Sequence, residues 1–206
     1  MDIEEIVESI RRRLDEKDAL REEALKTSRE IVRLSGDTVK ALHRGEVSTA
    51  RARFAEAGKL VGELRKRLTS HPDIYYTGYV QTAHQEFVEA ALLLSYAAGE
   101  PYPSPEELGV PEADYALGLG DFVGELRRCF LLRLLENDVE SAEKTYREME
   151  RIYNALMTLE YPKGLVNVRQ KQDQARHVLE RTLEDLTRAK LNKSLEEKLK
   201  AAVGDE

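Results

Sequence analysis

The sequence predicts an all-α protein, folded as an antiparallel bundle of helices joined by short turns. Apolar residues recur at intervals of three and four over most of the chain, which is the spacing of one face of a helix. The six prolines and twelve glycines are few, and most of them lie where the periodic segments end. No segment alternates apolar and polar residues as a strand does, so no sheet is expected.

The first helix is predicted over residues 3–43, with Gly36 as a weak point that a long helix tolerates. Its apolar stripe begins with Ile3, Ile6, Val7, Ile10 and Leu14. Ser48 is the expected N-cap of a second helix, which ends at residue 67.

The remaining helices follow after short breaks, over residues 74–98, 114–135, 138–160 and 165–190, with a short seventh starting at Ser194. Gly99 ends the third helix, and the proline-rich stretch 100–112 is the one clear loop. Asp114 is the expected N-cap of the fourth helix, and either Asn137 or Asp138 caps the fifth.

Length and composition exclude several classes of protein. The 206 residues are 41% hydrophobic and 34% charged, which is unlike a disordered chain. No apolar run reaches the roughly 18 residues of a membrane span, and the acidic start does not resemble a signal peptide. A single cysteine, Cys129, excludes an internal disulfide and a cysteine zinc site. We therefore expect one domain over residues 1–206, no membrane partner and a cytoplasmic location.

The net charge of −7 is unevenly distributed along the chain. Residues 68–126 contain ten acidic residues and no Lys or Arg, whereas the other residues hold 32 basic and 29 acidic groups. The chain is thus faintly basic, with one acidic segment in its middle, and the average charge does not exclude a nucleic-acid ligand.

Two acidic residues lie in an otherwise uncharged third helix. Between Tyr79 and Ala98, Glu86 and Glu89 are the only charged residues. Being three residues apart, they share one face, separated by about 60° around the axis and about 4.5 Å along it. No Lys or Arg stands three or four positions away, and two carboxylates about 6 Å apart repel by roughly 3 kcal/mol at an effective dielectric near 20. A cation, an arginine from elsewhere or a proton must compensate them.

The fourth helix carries a matching pair, Asp121 and Glu125, four residues apart on one face. Gly118, Gly120 and Gly124 flank this pair, and each costs a helix about 1 kcal/mol relative to Ala. Their clustering indicates close approach of another backbone or of a ligand. If the third and fourth helices pack antiparallel, the four carboxylates can converge, and such an all-oxygen set suits Mg²⁺ or Mn²⁺.

Simpler interpretations remain open for the same residues. Glu125 can pair with Arg128 at i+3, and Glu86 and Glu89 can belong to a solvent-facing strip. His84 could assist proton transfer near Glu86, or it could simply be packed or exposed. Cys129 is expected to be a core thiol, because apolar residues follow it. A ferritin-like di-iron site is excluded, since no His in the chain follows a Glu by three positions.

Basic side chains crowd the first two helices and return in the sixth. Many of them have a nearby Glu, so an ion-paired solvent face is the default interpretation. Placed around a metal centre, the same side chains could hold a phosphate backbone. They are Arg11, Arg12, Arg13, Arg44, Arg51, Arg53, Arg65, Lys66, Arg67, Arg169, Lys171 and Arg176.

Two central motifs resemble a known family. Gln85-Glu86-Phe87-Val88-Glu89-Ala90 resembles the QE(Y/F)VEA motif of the translin-associated factor X (Trax) branch of the translin superfamily. Residues 114–128 are similar to that branch's DYLLGVADLTGELMR segment, and residues 28–31 and 42–44 resemble the start of the family. The similar order of helices covers residues 20–190, although the loop 99–114 and the N-terminal region are shorter than in animal relatives.

The resemblance implies a seven-helix translin-like fold, assembly into a hollow homo-oligomer such as an octamer, and Mg²⁺-dependent endoribonuclease activity on single-stranded RNA. It places the catalytic, metal-binding acids at Glu86, Glu89 and Asp121, with Glu125 as the supporting fourth. The translin branch lacks the paired glutamates of the third helix, which favours a nuclease. The compact chain looks like a microbial relative that assembles with itself, and a separate translin partner remains open.

Two alternatives to the nuclease are kept. One is a non-catalytic translin-like oligomer that binds single-stranded RNA or DNA, with an affinity that falls steeply as salt rises. The other is a structural bundle whose acids are surface charges. Apolar positions on more than one face of the fourth helix, at residues 130–135, independently suggest self-association.

Overall fold

The structure is a computed structural model that describes residues 2–203 of the chain. Within that range there is no strand, which confirms the all-α prediction. The described chain forms eight helices rather than the seven expected. They are α1 (Ile3–His43), α2 (Val47–Leu68), α3 (Pro72–Tyr75), α4 (Gly78–Ala98), α5 (Pro105–Leu108), α6 (Glu112–Leu135), α7 (Val139–Met157) and α8 (Val168–Val203).

The differences from the predicted helices have local causes. Two single turns, α3 and α5, each begin with a proline, whose fixed φ suits the first position of a helix. The predicted sixth and seventh helices are one helix, α8, because no Gly or Pro interrupts residues 165–203 and Ser194 is tolerated inside it.

Two of the predicted helix caps are wrong, and two other predicted helix ends are confirmed. α2 begins at Val47, so Ser48 is not its N-cap, and α6 begins at Glu112, so Asp114 is not an N-cap either. Asp138 does cap α7, because its side chain accepts a hydrogen bond from the backbone N–H of Ser141 at 3.0 Å. Gly99 ends α4 in the left-handed conformation, at φ +67°.

The chain divides into two compact units, Met1–Tyr115 and Ala116–Glu206. A single domain over residues 1–206 stays a prediction. In the first unit, α4 contributes eleven buried residues and packs against α1 and α2. Phe87 of α4 lies parallel to Phe54 of α2, with ring centroids 4.7 Å apart, and burying such a ring contributes about 2–3 kcal/mol.

The second unit joins the larger part of α6 to α7 and α8. Phe122 and Phe130 of α6 are completely buried, as is Met149 of α7. The guanidinium of Arg127 links α6 to α8 by donating hydrogen bonds to Thr182 at 3.1 Å and to Asp185 at 2.6 Å. These hydrogen bonds tie α6 to α8 within the second unit.

Both long terminal helices expose apolar stripes. All five residues of the first stripe of α1, Ile3, Ile6, Val7, Ile10 and Leu14, are exposed, and burial in α1 begins at Ala24. On α8, Leu191, Leu195 and Leu199 are exposed at intervals of four. On α6, Phe130 is buried whereas Leu131 and Leu135 are exposed. None of the described helices combines the length and the apolar character required to cross a membrane.

Candidate functional site

The predicted acidic pair of α4 is half-buried. Glu86 and Glu89 have intermediate exposure, and the neighbours Phe87, Val88 and Ala90 are buried. Because their neighbours in α4 are buried, both glutamates lie at the edge of the core of the first unit. At this depth a carboxylate is partly desolvated and still accessible, which favours a strong interaction with a cation.

The predicted acidic pair of α6 is also half-buried. Asp121 and Glu125 have intermediate exposure. Asp121 accepts a hydrogen bond at Oδ1 from the Nζ of Lys171 on α8, at 2.5 Å, and their side chains are 30% and 22% exposed. No local sequence pattern connects these two residues, because fifty positions separate them. The compensating cation is thus a lysine that the fold brings in from another helix.

Gly120 makes the approach of Lys171 possible. A Cβ added at Gly120 would lie 2.6 Å from the Cβ of Lys171, closer than real side-chain carbons come. The close approach expected from the glycine cluster therefore occurs at this position. At Gly124 nothing lies within 4 Å of an added Cβ, so close approach does not explain that glycine.

The interactions of the four predicted site residues differ from the sequence picture of uncompensated acids. Asp121 is ion-paired with Lys171, and Glu86, Glu89 and Glu125 each have polar or electrostatic interactions of their own. Among residues 2–203, no group of three or more His, Cys, Asp or Glu side chains is arranged to hold a metal ion. The donor set itself, four carboxylates at intermediate burial, has the all-oxygen chemistry that Mg²⁺ and Mn²⁺ prefer.

A buried histidine–aspartate pair is the feature that sequence analysis missed. His84 of α4 is completely buried, and its Nδ1 lies 2.8 Å from Oδ2 of Asp114, whose side chain is 3% exposed. At this distance the two side chains share a hydrogen bond inside the core. His84 is therefore a packed residue, one of the two simpler interpretations. The only available signal was a His and an Asp flanked by apolar neighbours.

Cys129 is half-buried on α6, and burial raises the pKa of its thiol to about 11. Very little thiolate is therefore present near neutral pH, so Cys129 has no nucleophilic role there. The prediction of a core thiol is met only in part, because Cys129 has intermediate exposure.

Most basic residues singled out from the sequence are ion-paired. Arg44 pairs with Glu46 at 2.7 Å, and Arg51 with Glu100 at 2.6 Å. Arg11, Arg53, Arg67 and Arg176 also have carboxylate partners. The ion-paired interpretation holds for this subset. Across the described range, five of these side chains form no salt bridge and are exposed: Arg12, Arg13, Arg65, Lys66 and Arg169.

Comparisons with known proteins agree on one family. The model of the Translin family matches residues 19–186. An uncharacterized protein of Methanocaldococcus jannaschii, MJ0175, is 36% identical over 191 residues, which cover 91% of this chain and 84% of that protein.

Solved structures with similar folds are named C3PO. A complex of AfC3PO with duplex RNA superposes with a TM-score of 0.83 at 37% identity, covering 90% of this chain and 97% of that one. The crystal structure of AfC3PO gives a TM-score of 0.82 at 36% identity, with the same coverage. The structure of apo-NeC3PO, at 24% identity and a TM-score of 0.81 over 89% of this chain and 96% of that one, shows the fold alone.

Proposed function

The chain belongs to the translin family, and from this premise we propose that it is a Mg²⁺-dependent endoribonuclease that cuts single-stranded RNA as a self-assembled oligomer. The observation that carries the proposal is the presence of two half-buried carboxylate pairs, each about one helical turn long, in a fold whose relative AfC3PO has a solved structure in complex with duplex RNA. The paired glutamates Glu86 and Glu89 support the proposal that the chain is of the Trax-like branch. The family match spans both units, which supports a single domain over residues 1–206. We also propose a cytoplasmic location.

Each carboxylate has a role in this proposal. Glu86, Glu89 and Asp121 hold the ion, and Glu125 is a further ligand or orients the attacking water. When bound, Mg²⁺ polarises the phosphoryl oxygen, lowers the pKa of coordinated water and neutralises charge in the transition state. Lys171 neutralises Asp121 when the ion is absent, since its ammonium already donates to that carboxylate.

The exposed cations are suited to hold the substrate. Arg12, Arg13, Arg65, Lys66 and Arg169 form no salt bridge within residues 2–203, so their charged groups are able to contact a phosphate. Lys and Arg contacts to phosphates supply most of the sequence-independent affinity for nucleic acids and make it depend on salt.

Self-assembly is supported by the exposed apolar stripes. Five aliphatic side chains of α1 and three leucines of α8 face solvent in the isolated chain, and stripes of this kind mark contact surfaces. We propose a homo-oligomer, specifically an octamer. Sedimentation should then give a particle about eight times 23.5 kDa, and a 23.5 kDa monomer at working concentration would contradict the assembly.

A second candidate function is a non-catalytic oligomer that binds single-stranded RNA or DNA. The ion pair of Asp121 with Lys171 favours this candidate, because the lysine already occupies one carboxylate oxygen. Fluorescent single-stranded RNA, with and without EDTA, separates the two. A nuclease gives products that EDTA abolishes, whereas a binder gives a complex and no products under any metal.

The decisive variant is Glu89→Gln, which removes one charged ligand and keeps the size of the side chain. We expect cleavage to fall about 100-fold or more, since even outer-shell partners of a metal cost 10–100-fold. RNA binding without metal should stay unchanged. The control is Glu63→Gln, an exposed glutamate of α2, which should cleave like the wild type. Equal cleavage by wild type and Glu89→Gln would refute the assignment of this carboxylate.

A further inference from the structure

An open pocket lies in the first unit, and none of its lining residues is among those assigned to metal binding. Its volume is about 310 Å³, and its lining residues come from the end of α2, the region of the turn α3, the turn α5 and the start of α6. The principal lining residues are Arg65, Tyr75, Tyr76, Glu106, Gly109 and Glu112. A guanidinium, two phenol rings and two carboxylates therefore meet at one solvent-accessible cavity.

An exposed aromatic ring stands at the edge of this pocket in a fixed orientation. Tyr76 is 60% exposed, and its ring packs against Tyr75 in an edge-to-face arrangement, with centroids 5.2 Å apart. Tyr75 in turn packs on the buried imidazole of His84, at 5.4 Å, which Asp114 holds in place. The ring of Tyr76 thus contacts Tyr75 and is otherwise largely open to solvent, as a stacking surface for a planar ligand requires.

A cation stands beside the ring. Arg65 is exposed and forms no salt bridge within the described residues. Its Nη1 lies 3.3 Å from the position that a Cβ would take at Gly109, so a side chain there would crowd the guanidinium. Gly109 also adopts φ +69°, which disfavours any residue with a Cβ. A second depression of about 190 Å³ shares three lining residues with this pocket, namely Arg65, Tyr75 and Tyr76.

The two acidic residues limit the chemistry of the ligand. Glu106 and Glu112 would repel a bare phosphate or a polyphosphate inside the pocket. Carboxylates do accept hydrogen bonds from exocyclic amino groups, which adenine, cytosine and guanine carry and uracil lacks. Hydrogen bonding from Ser104 lowers the pKa of Glu106, so this group is ionised and acts as an acceptor at neutral pH.

We infer that this pocket binds one unpaired, amino-bearing nucleobase of single-stranded RNA. The base stacks on Tyr76, its amino group donates to Glu106 or Glu112, and Arg65 contacts the adjacent phosphate. The inference rests on the proposed function, because it assumes that the chain binds RNA. It adds a base-binding site distinct from the carboxylate pairs and a preference among bases.

The test measures RNA binding without cleavage. Fluorescein-labelled oligo(A) and oligo(U) of about 12 nucleotides are titrated with the full-length protein in EDTA, and the anisotropy is followed. We expect tighter binding of oligo(A). Tyr76→Ala should weaken binding of oligo(A) about fivefold or more, whereas Tyr76→Phe should retain it, because stacking needs the ring and not the hydroxyl. Tyr161→Ala is the matched control, since this tyrosine is 58% exposed outside the pocket, and its affinity should not change.

A second set of variants tests base preference. Glu106→Gln with Glu112→Gln should bring the affinities for oligo(A) and oligo(U) together, and Arg65→Gln should weaken both. Circular dichroism melting confirms that each variant is folded. Wild-type affinity in Tyr76→Ala, or equal losses in Tyr76→Phe and Tyr76→Ala, would overturn the base-stacking site while leaving the proposed function intact. Absence of RNA binding by the wild type would instead remove the proposed function, and the inference with it.

Discussion

Two aspartates of α6 have different environments in the structure although they share one feature of sequence. Asp114 and Asp121 both lack a Lys or Arg within a turn, and both lie among apolar residues and glycines. Asp114 is sealed at 3% exposure and bound to the imidazole of His84, while Asp121 is 30% exposed and bound to the ammonium of Lys171. The first is inaccessible and holds the structure together. Asp121 is accessible to solvent and is paired with the ammonium of Lys171, so a metal ion could replace the lysine at this carboxylate.

The largest effect should come from breaking the sealed pair. His84→Phe keeps an aromatic ring of similar size but removes the only hydrogen bond that the structure gives to the Asp114 side chain within residues 2–203. A buried carboxylate without its partner costs about 3–5 kcal/mol, so the free energy of unfolding should fall by that amount. Urea denaturation followed by circular dichroism measures the change.

The chain offers a matched control for this variant. His177 and Glu180 on α8 form another histidine–carboxylate pair, at 3.7 Å, with side chains 74% and 63% exposed. His177→Phe should change the free energy of unfolding by about 0.5 kcal/mol or less. If His84→Phe lowered the free energy of unfolding as little as His177→Phe, the hydrogen bond between His84 and Asp114 would not stabilise the fold.

The next prediction compares two glycines of α6 whose replacement by alanine should change the stability of the protein in opposite directions. Gly120→Ala places a Cβ 2.6 Å from the Cβ of Lys171, so α6 and α8 must shift, at a cost of about 1–3 kcal/mol. Gly124→Ala meets nothing within 4 Å and should stabilise the protein by up to about 1 kcal/mol, through the higher helix propensity of Ala. Thermal unfolding of both variants checks the pair. Destabilisation of similar size in both would contradict the close contact at Gly120.

The helices were largely predictable from sequence, because periodicity, prolines and caps are local signals. α1 was predicted over the residues that it occupies, and Gly99 and Asp138 act as expected. The prediction of two separate helices at the end of the chain is wrong. Ser194 is a typical N-cap residue, but here it lies inside the continuous helix α8.

The candidate site was predictable only as residue types. Glu86, Glu89 and Asp121 have no Lys or Arg within one helical turn in the sequence, whereas Glu125 has Arg128 at i+3. The structure brings Lys171 to Asp121, as it brings Lys17 to Asp73 and Arg51 to Glu100. Three acids of the cation-free segment 68–126 thus find cations on helices outside it. Pairing across fifty or so positions depends on tertiary packing, which no local pattern encodes.

The smallest effect concerns the accessible aspartate and its cation. Lys171→Met keeps the apolar stem of the side chain and removes the ammonium from Asp121. If Asp121 is a metal ligand, the lysine competes with the ion, and its removal should tighten Mn²⁺ binding about tenfold, equivalent to about 1.4 kcal/mol.

Isothermal titration with Mn²⁺ measures this change directly, and the Mg²⁺ concentration for half-maximal RNA cleavage should fall in parallel. Lys190→Met is the matched control, because Lys190 forms a similar ion pair with Glu143, at 2.7 Å, away from the predicted ligands. Unchanged or weaker Mn²⁺ binding in Lys171→Met would mean that Lys171 and Asp121 form a structural pair like His84 and Asp114. In that case α6 would supply at most Glu125 to a metal site, and the contrast between its two aspartates would be one of exposure alone.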